Sequence, residues 1–371
     1  MKPLFLYIHI PFCARKCAYC DFASYPNRQG DWARYFEALW NEIDRWRGRL
    51  DDYIAATAFF GGGTPTLVPA ETIAETLGRL RALLPFAPDI EITLEGNPGT
   101  LTPEKLAVYR SAGVNRLSLG AQSFDAGLLR SLGRIHTAGQ TGEAVAMARE
   151  AGFANINLDL MYALPGQTMA QWRDTLNAAV ALGVPHISAY SLIVEEGTEM
   201  AARVARGEAL PPGEDAVNAM QRAAINRLAR AGLARYEISN FARPGFRCRH
   251  NMAYWLRGDY LGLGCAAHSL LRGARFANPG DLDAYLAGGR GEPARLTRRD
   301  IMEETLMLAT RTVRGLDLAA WRAQFGEDFA APRRAALDRL LAGGYIEQTD
   351  GFLRLTTRGF EVQDAVVLEL L

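Results

Sequence analysis

The chain has 371 residues, of which 49% are hydrophobic and 22% charged, and its 41 basic and 41 acidic side chains give a formal net charge of zero. This length is enough to bury a full core, and the composition is that of a soluble globular protein. Without a cationic excess there is no overall electrostatic attraction to nucleic acid or to an anionic membrane.

The first predicted element is a strand over residues 4–10, LFLYIHI, which ends at Pro11. This apolar run is too short for the core of a signal peptide, and no segment approaches the ~20 apolar residues that span a bilayer. The five cysteines are odd in number, which argues against a disulfide framework and suits a reducing compartment. We therefore expect a cytoplasmic protein that is not an integral membrane protein.

Three cysteines follow this strand directly, Cys13, Cys17 and Cys20, with the spacing CxxxCxxC. Three thiolates on one short loop can bind three irons of a [4Fe-4S] cluster and leave the fourth iron open for another ligand. A structural zinc site is the alternative, but zinc loops usually combine two pairs of ligands, and no second pair is present. The spacing therefore predicts a [4Fe-4S] cluster at the end of the first strand.

Beyond this loop, apolar strand patterns alternate with helical ones. Helices are predicted at 31–47 and 69–84, and further strands at 57–66, 91–98, 116–124, 155–166 and 186–198. Counting the first strand, this makes six strand-helix units, which predict βαβ connections and a parallel sheet. Since a closed (β/α)8 barrel needs more units, we expect an α/β fold with a partial, open (β/α)6 barrel, and a doubly wound sheet is the alternative.

Polar residues or glycines stand at the predicted carboxyl end of nearly every strand, where parallel α/β folds build their sites. These positions are Gly61 to Thr64, Glu95, Asn97, Gln122, Asp159, Tyr190 and Ser191. Any one of them could simply cap the following helix, but as a set they favour a shared ligand. Glycines allow close approach of a ligand, while Glu95 and Asp159 can bind ribose hydroxyls or an ammonium group, and Arg134 can pair with a carboxylate.

The chain resembles the oxygen-independent coproporphyrinogen oxidase family of the radical S-adenosylmethionine (SAM) superfamily, including its heme chaperone branch. The shared motifs are YIHIPFCxxxCxxC, the Glu95 strand, GGGTPT, LSLGAQSF, LDLMYALPGQT and HNMAYW. In that superfamily the open iron binds the amino and carboxylate groups of SAM. By alignment of these motifs, the resemblance implies SAM contacts at Tyr7, Tyr19, Gly63, Thr64, Glu95, Gln122, Arg134, Asp159, Ser191 and His268.

Two features separate the branches of this family. The oxidases read CxxxCxxCxC, whereas Phe22 stands here at the position of the additional cysteine. They also carry an extension ahead of the cluster, whereas six residues precede Tyr7 in this chain. Both differences count against coproporphyrinogen oxidase activity, although every residue that the resemblance implies for SAM is present.

A second motif, HNxxYW, consists of His250, Asn251, Tyr254 and Trp255 and resembles the motif associated with heme in the chaperone branch. A neutral imidazole is a common axial ligand of heme iron, and tyrosine and tryptophan offer broad faces to a porphyrin. The alternative is that His250 and Asn251 only fix their loop by hydrogen bonds.

The predicted domains are the barrel at 1–235, the segment with HNxxYW at 236–287, which packs on the barrel, and a small winged-helix-like domain at 288–371. Residues 288–300 are rich in glycine and arginine and predict a linker, followed by helices at 303–314, 318–325 and 333–341. A hairpin turning at Asp350-Gly351 ends the domain. Balanced charge favours a docking or lid role over nucleic-acid binding.

Two functions remain at this stage. The first is a chaperone that binds heme and delivers it to an acceptor protein, for which a membrane respiratory protein is one candidate, with the cluster, its electron donor and SAM supporting transfer. The second is a radical SAM enzyme in which the reduced cluster cleaves SAM and the resulting radical takes hydrogen from a porphyrinogen.

Overall fold

A twelve-stranded sheet dominates the computed structural model of the chain, which describes residues 1–371. In chain order the strands of the protein are β1 (Lys2–Ile10), β2 (Phe12–Cys13), β3 (Tyr25–Pro26), β4 (Tyr53–Gly62), β5 (Phe86–Gly96), β6 (Arg116–Gln122), β7 (Asn155–Tyr162), β8 (His186–Ser191), β9 (Ala234–Arg235), β10 (Asn240–Ala242), β11 (Tyr260–Leu263), β12 (His268–Leu271), β13 (Ala274–Ala277), β14 (Ala294–Arg295), β15 (Leu316–Asp317), β16 (Ile346–Thr349) and β17 (Phe352–Leu355).

Six strands, β1, β4, β5, β6, β7 and β8, lie side by side in chain order, and every neighbouring pair is parallel. A doubly wound sheet would reverse its strand order beside the first strand, and these six do not reverse. The two outermost strands of the sheet, β14 and β9, do not pair with each other, so the sheet stays open. The predicted partial (β/α)6 barrel is confirmed.

The helices cover this sheet and form most of the carboxyl-terminal region. They are α1 (Trp32–Arg45), α2 (Ala70–Leu83), α3 (Pro103–Ala112), α4 (Ala126–Ser131), α5 (Ala138–Glu150), α6 (Met169–Ala181), α7 (Glu199–Ala205), α8 (Glu214–Arg230), α9 (Arg249–Trp255), α10 (Leu282–Leu286), α11 (Arg298–Ala309), α12 (Leu318–Phe325), α13 (Arg334–Ala342), α14 (Thr357–Glu361) and α15 (Gln363–Leu370). In α1 the residues at three- and four-residue spacing, such as Phe36, Leu39 and Ile43, are buried, as expected for a helix with one apolar face. None of the helices is both long enough and apolar enough to cross a bilayer.

The sheet extends beyond the six predicted strands. β11 pairs in parallel with the free side of β1, and β12 to β14 continue from it as an antiparallel ribbon. The strand is only four residues long, so its sequence lacks a clear periodicity. Gly262 allows β12 to pack close to β11, because a Cβ atom on Gly262 would lie 2.1 Å from the carbonyl oxygen of His268 in β12.

The carboxyl-terminal region has a core of its own, built from 13 buried residues between Leu306 and Leu370. Helices α11 to α13 are followed by the hairpin of β16 and β17, and β15 completes its three-stranded sheet. The predicted turn at Asp350-Gly351 is confirmed, with φ of 55° and 80°, as a two-residue type I′ loop requires. The arrangement is winged-helix-like.

Two local predictions, one at the start of the carboxyl-terminal region and one in the barrel, are wrong. The segment predicted as a linker contains β14, which pairs with β13, and α11 begins at Arg298, five residues before the predicted start. The strand predicted over 186–198 ends at Ser191, and a loop follows it. The proposed domain boundaries at 235 and 287 stay predictions.

Ion pairs join the carboxyl-terminal region to the barrel. Glu304 of α11 pairs with Arg257 at 2.9 Å and with Arg275 at 3.0 Å, and only 12% of its side chain is exposed. The guanidinium of Arg311 lies 5.5 Å from the ring centre of Trp255 at the end of α9. The carboxyl-terminal region therefore packs directly on the helix that carries HNxxYW.

The Glu304 contacts predict a stability difference between neighbouring glutamates. Glu304→Gln leaves the poorly exposed Arg257 and the more exposed Arg275 without their carboxylate, and we expect it to lower the free energy of unfolding by about 2 kcal/mol. Glu303→Gln is the matched control, since Glu303 pairs only with the exposed Arg299 and should cost less than about 0.5 kcal/mol. Denaturant titrations of both variants measure the difference, and equal losses would contradict the role given to Glu304.

Candidate cluster and cofactor site

The predicted site residues converge at the carboxyl ends of the parallel strands, where a cavity of about 420 Å³ opens. All three loop cysteines line it, together with eight of the ten positions predicted to contact SAM: Tyr19, Gly63, Thr64, Glu95, Gln122, Arg134, Asp159 and Ser191. The remaining two do not line it. Tyr7 lies deeper in the barrel against Phe59, and His268 is an exposed residue of β12.

Hydrogen bonds to neighbouring elements position the cysteine loop. The amide of Ala18 donates to the carbonyl of Leu132 at 3.0 Å, and the carbonyl of Ala18 accepts from the amide of Met200 at 2.7 Å. At the end of the loop, the Nε2 atom of His9 lies 2.8 Å from the carbonyl oxygen of Ala23. Since Ala23 can only accept here, His9 donates this bond and secures the loop to the end of β1.

The three cysteines are free, partly buried thiols, and each has one polar partner. The Thr64 hydroxyl donates to the sulfur of Cys13 at 3.7 Å, a guanidinium nitrogen of Arg134 donates to Cys17 at 3.6 Å, and the hydroxyl of Ser24 lies 3.8 Å from the sulfur of Cys20. Such donors stabilise thiolates, the form that binds iron.

Burial raises the pKa of the Cys13 and Cys20 thiols, which disfavours unpaired thiolates at these positions. No three cysteine, histidine or acidic side chains lie close enough together to bind a single metal ion. A [4Fe-4S] cluster does not require them to meet at one point, because each thiolate binds a different iron. The donor set therefore fits such a cluster.

The glycines after β4 bring backbone close to this loop. A Cβ atom on Gly63 would lie 2.6 Å from the carbonyl oxygen of Phe12 and 3.0 Å from the sulfur of Cys13. Gly62 has a φ of +112°, and a Cβ atom on it would lie 2.6 Å from the ring of His9. Only glycine fits at both positions, which explains the GGGT motif physically.

Two carboxylates face the cavity, Glu95 from the end of β5 and Asp159 from β7, and β6 lies between these two strands. Burial, followed by the charge of Asp159, raises the pKa of Glu95 to about 8, although the amide of Gly62 donates to Glu95 at 3.3 Å. Burial also raises the pKa of Asp159, against hydrogen bonds from Ser118 at 3.1 Å and from Asn157 at 2.8 Å. Such a pair favours a cationic or hydrogen-bond-donating ligand between the two groups.

Arg134 and Gln122 complete the wall of the cavity. Arg134 donates to Asn97, to the carbonyl of Gly120 and to Cys17, while its buried Nε atom has no partner. Gln122 has a φ of 61°, a strained value for a residue other than glycine, and accepts a hydrogen bond from the hydroxyl of Tyr190 at 3.1 Å. Strain of this kind concentrates at functional sites.

The HNxxYW motif lies in α9, on the side of Glu91 and Thr57 rather than at the cavity. Both ring nitrogens of His250 are occupied: Nδ1 lies 2.6 Å from the hydroxyl of Thr57, and Nε2 lies 3.0 Å from the hydroxyl of Tyr254. His250 is 2% exposed, and burial lowers its pKa to about 3, so the ring is neutral. These contacts match the alternative in which His250 fixes the motif, and the heme contact stays a prediction.

The other members of the motif are more accessible than His250. Asn251, Tyr254 and Trp255 are partly buried, and the buried indole Nε1 of Trp255 has no hydrogen-bond partner. The predicted heme contacts of these three residues likewise stay predictions.

Sequence reasoning missed several polar residues around the site, above all Ser118, Asn157 and His186. The signal was available, because side chains two positions apart on a strand share a face. Ser118 precedes Gln122 by four residues on β6, and Asn157 precedes Asp159 by two on β7. His186 likewise precedes Tyr190 by four residues on β8, but the sequence does not reveal its contacts with Asn157 and Tyr236.

Comparisons with known proteins agree with this geometry. A family model described as the radical SAM superfamily matches residues 7–179, and one described as the HemN C-terminal domain matches residues 296–362. The heme chaperone HemW of Mycobacterium tuberculosis is 38% identical over 100% of this chain and 95% of its own length. The heme chaperone HemW of Escherichia coli is 35% identical over 97% of this chain and 96% of its own length.

Among solved structures, the coproporphyrinogen III oxidase HemN of Escherichia coli, described as a radical SAM enzyme, superposes with a TM-score of 0.87. The superposition covers 100% of this chain and 90% of that chain, at 24% identity. At this identity the likeness establishes the fold alone.

The raised pKa of Glu95 predicts a pH dependence of stability. A carboxyl with a folded-state pKa near 8 and an ordinary value of about 4.3 stabilises the ligand-free protein below pH ~4, and this contribution is lost as the pH rises to 8. We expect Glu95→Gln to remove much of this loss and to be the more stable protein at pH 8, by on the order of 1–2 kcal/mol because cavity water screens the charge. The matched control is Glu143→Gln on the exposed face of α5. Identical pH profiles for Glu95→Gln and the parent chain would contradict the assignment.

Proposed function

Because the chain belongs to the heme chaperone HemW family of the radical SAM superfamily, we propose that it binds heme and transfers it to an acceptor protein. The observation that carries this proposal is similarity to named heme chaperones along nearly the whole chain, at 35–38% identity. The superfamily implies a [4Fe-4S] cluster and SAM, and heme is the further ligand that we propose.

Phe22 supports the chaperone over the oxidase. Its ring is 63% exposed at the cavity lining, where the oxidases resembled by the sequence carry an additional cysteine. A phenyl ring can neither transfer a proton nor form a sulfur radical, so the group that belongs to the oxidase active site is missing. The alternative, a radical SAM oxidase acting on a porphyrinogen, is less supported.

The cavity residues suit a bound cluster and SAM. Cys13, Cys17 and Cys20 would hold the cluster, and the open iron would supply a position for the amino acid part of SAM. Glu95 and Asp159 would accept hydrogen bonds from the ammonium or the ribose hydroxyls of SAM. Of the ten positions proposed to contact SAM, Ser191 lines the cavity, whereas Tyr7 and His268 lie outside it.

Heme binding at HNxxYW would require a rearrangement of α9. The neutral imidazole of His250 is the form that binds iron, but the Tyr254 hydroxyl occupies its Nε2 atom. The carboxyl-terminal region also covers Trp255 through Arg311. We propose that heme enters when this packing loosens, and that an acceptor protein and an electron donor are the remaining partners.

The experiment that tests the proposed function uses anaerobically reconstituted protein. It is titrated with heme by absorption spectroscopy and, separately, incubated with coproporphyrinogen III, SAM and a reductant. We expect heme binding and no decarboxylated product. Formation of protoporphyrinogen, or the absence of any heme spectrum, would overturn the chaperone proposal.

A pair of variants tests whether His250 binds the heme iron. Tyr254→Phe removes the hydroxyl that competes for Nε2, so we expect heme to bind about threefold to tenfold more tightly, a gain of roughly the free energy of one hydrogen bond. His250→Ala should weaken heme binding and change the Soret band. His136→Ala, a buried histidine outside the motif, is the control. Unchanged spectra and affinities in both motif variants would show that His250 is structural.

A further inference from the structure

A chain of buried side chains connects α9 to Asp159 in the cavity, through Tyr236, His186 and Asn157. The Cys248 amide at the start of α9 lies 3.1 Å from the Tyr236 hydroxyl, which lies 2.8 Å from His186 Nε2. His186 Nδ1 lies 2.6 Å from Asn157 Oδ1. The Asn157 Nδ2 atom donates to Asp159 at 2.8 Å. We call Tyr236, His186 and Asn157 the relay.

The two ends of the relay fix the direction of every hydrogen bond in it. A backbone amide can only donate, so the Tyr236 oxygen accepts from Cys248 and its proton points to Nε2 of His186. At the other end, the amide nitrogen of Asn157 and the hydroxyl of Ser118 each donate to one oxygen of Asp159, so Asn157 turns its own oxygen towards His186. Neutral His186 can accept from Tyr236 at Nε2 and donate to Asn157 from Nδ1 only in the tautomer that carries its proton on Nδ1.

Burial makes this arrangement costly to break. His186 and Cys248 are fully buried, Asn157 is 1% exposed and Tyr236 3% exposed, so water cannot replace a lost partner. Burial also lowers the pKa of His186 well below its usual value, which keeps the ring neutral. A buried polar chain that is satisfied throughout holds its members in one orientation.

At its cavity end, the relay makes further hydrogen bonds that involve Ser118. Asn157 Nδ2 also donates to Ser118 at 2.7 Å, and the Ser118 hydroxyl donates to the second oxygen of Asp159 at 3.1 Å. Both oxygens of Asp159 therefore receive a hydrogen bond from a group that the relay orients. The carboxylate is held in one rotation, with its remaining lone pairs available to the cavity.

We propose that Tyr236, His186 and Asn157 are positioning residues that orient Asp159 for SAM and make SAM affinity depend on the placement of α9. None of the three lines the cavity, so they act through Asp159. The inference rests on the proposed SAM contact of Asp159. It gives the HNxxYW helix a hydrogen-bonded connection to the cofactor site.

The test measures the SAM dissociation constant of cluster-loaded protein by calorimetry. Tyr236→Phe should weaken SAM binding about threefold, and His186→Leu about tenfold, because the Asn157 amide loses the partner that sets its orientation. His186→Gln, which retains an amide donor and acceptor, should restore most of the affinity. The matched control is Tyr53→Phe, another fully buried tyrosine, whose hydroxyl donates to Asp259 outside the relay.

Unchanged SAM affinity in Tyr236→Phe and His186→Leu would overturn the proposal, as would an equal loss in Tyr53→Phe. Should His186→Leu fail to fold, Tyr236→Phe against Tyr53→Phe decides alone. Heme titrations of the same proteins separate the two proposals. If the protein does not bind heme, the chaperone function is contradicted. The SAM titrations still test whether the relay orients Asp159.

Discussion

The cysteine loop contains almost no regular structure, so the site depends on hydrogen bonds from the elements around it. Backbone groups at Ala18 are bound from two directions, by Leu132 after α4 and by Met200 in α7. His9 secures the end of the loop, and the glycines after β4 leave room for it. Because buried backbone groups must find hydrogen-bond partners, these contacts hold the loop in one conformation. In that conformation its thiols face the ends of the parallel strands.

The features that could be predicted from the sequence are those set by the local pattern of apolar and polar residues. Apolar runs alternating with helical periodicity identified six parallel strands, and glycines and polar residues at the strand ends identified nine residues of the cavity wall. Features that depend on distant pairing were not predictable. β11 joins β1 across about 250 residues of chain, and His250 finds Thr57 at a separation of 193. No local sequence pattern indicates either contact.

The two motifs lie in different parts of the barrel. The cavity holds the positions expected for the cluster and SAM, whereas HNxxYW lies in α9 beside the carboxyl-terminal region. Between them, the ring of Phe59 stacks on Tyr7 at 6.2 Å and on His250 at 5.0 Å. A scaffold of this kind serves an enzyme or a carrier, and the residues of the site rather than the fold decide which. Here Phe22 departs from the CxxxCxxCxC pattern of the oxidases that the sequence resembles.

We propose that the thiolates of Cys13, Cys17 and Cys20 hold an incompletely ligated iron–sulfur cluster at the mouth of the barrel. The most direct test of this proposal is the iron, sulfide and zinc content of the protein purified without oxygen. We predict about four irons and about four acid-labile sulfides per chain, as a [4Fe-4S] cluster contains. One zinc per chain with no labile sulfide would contradict the account.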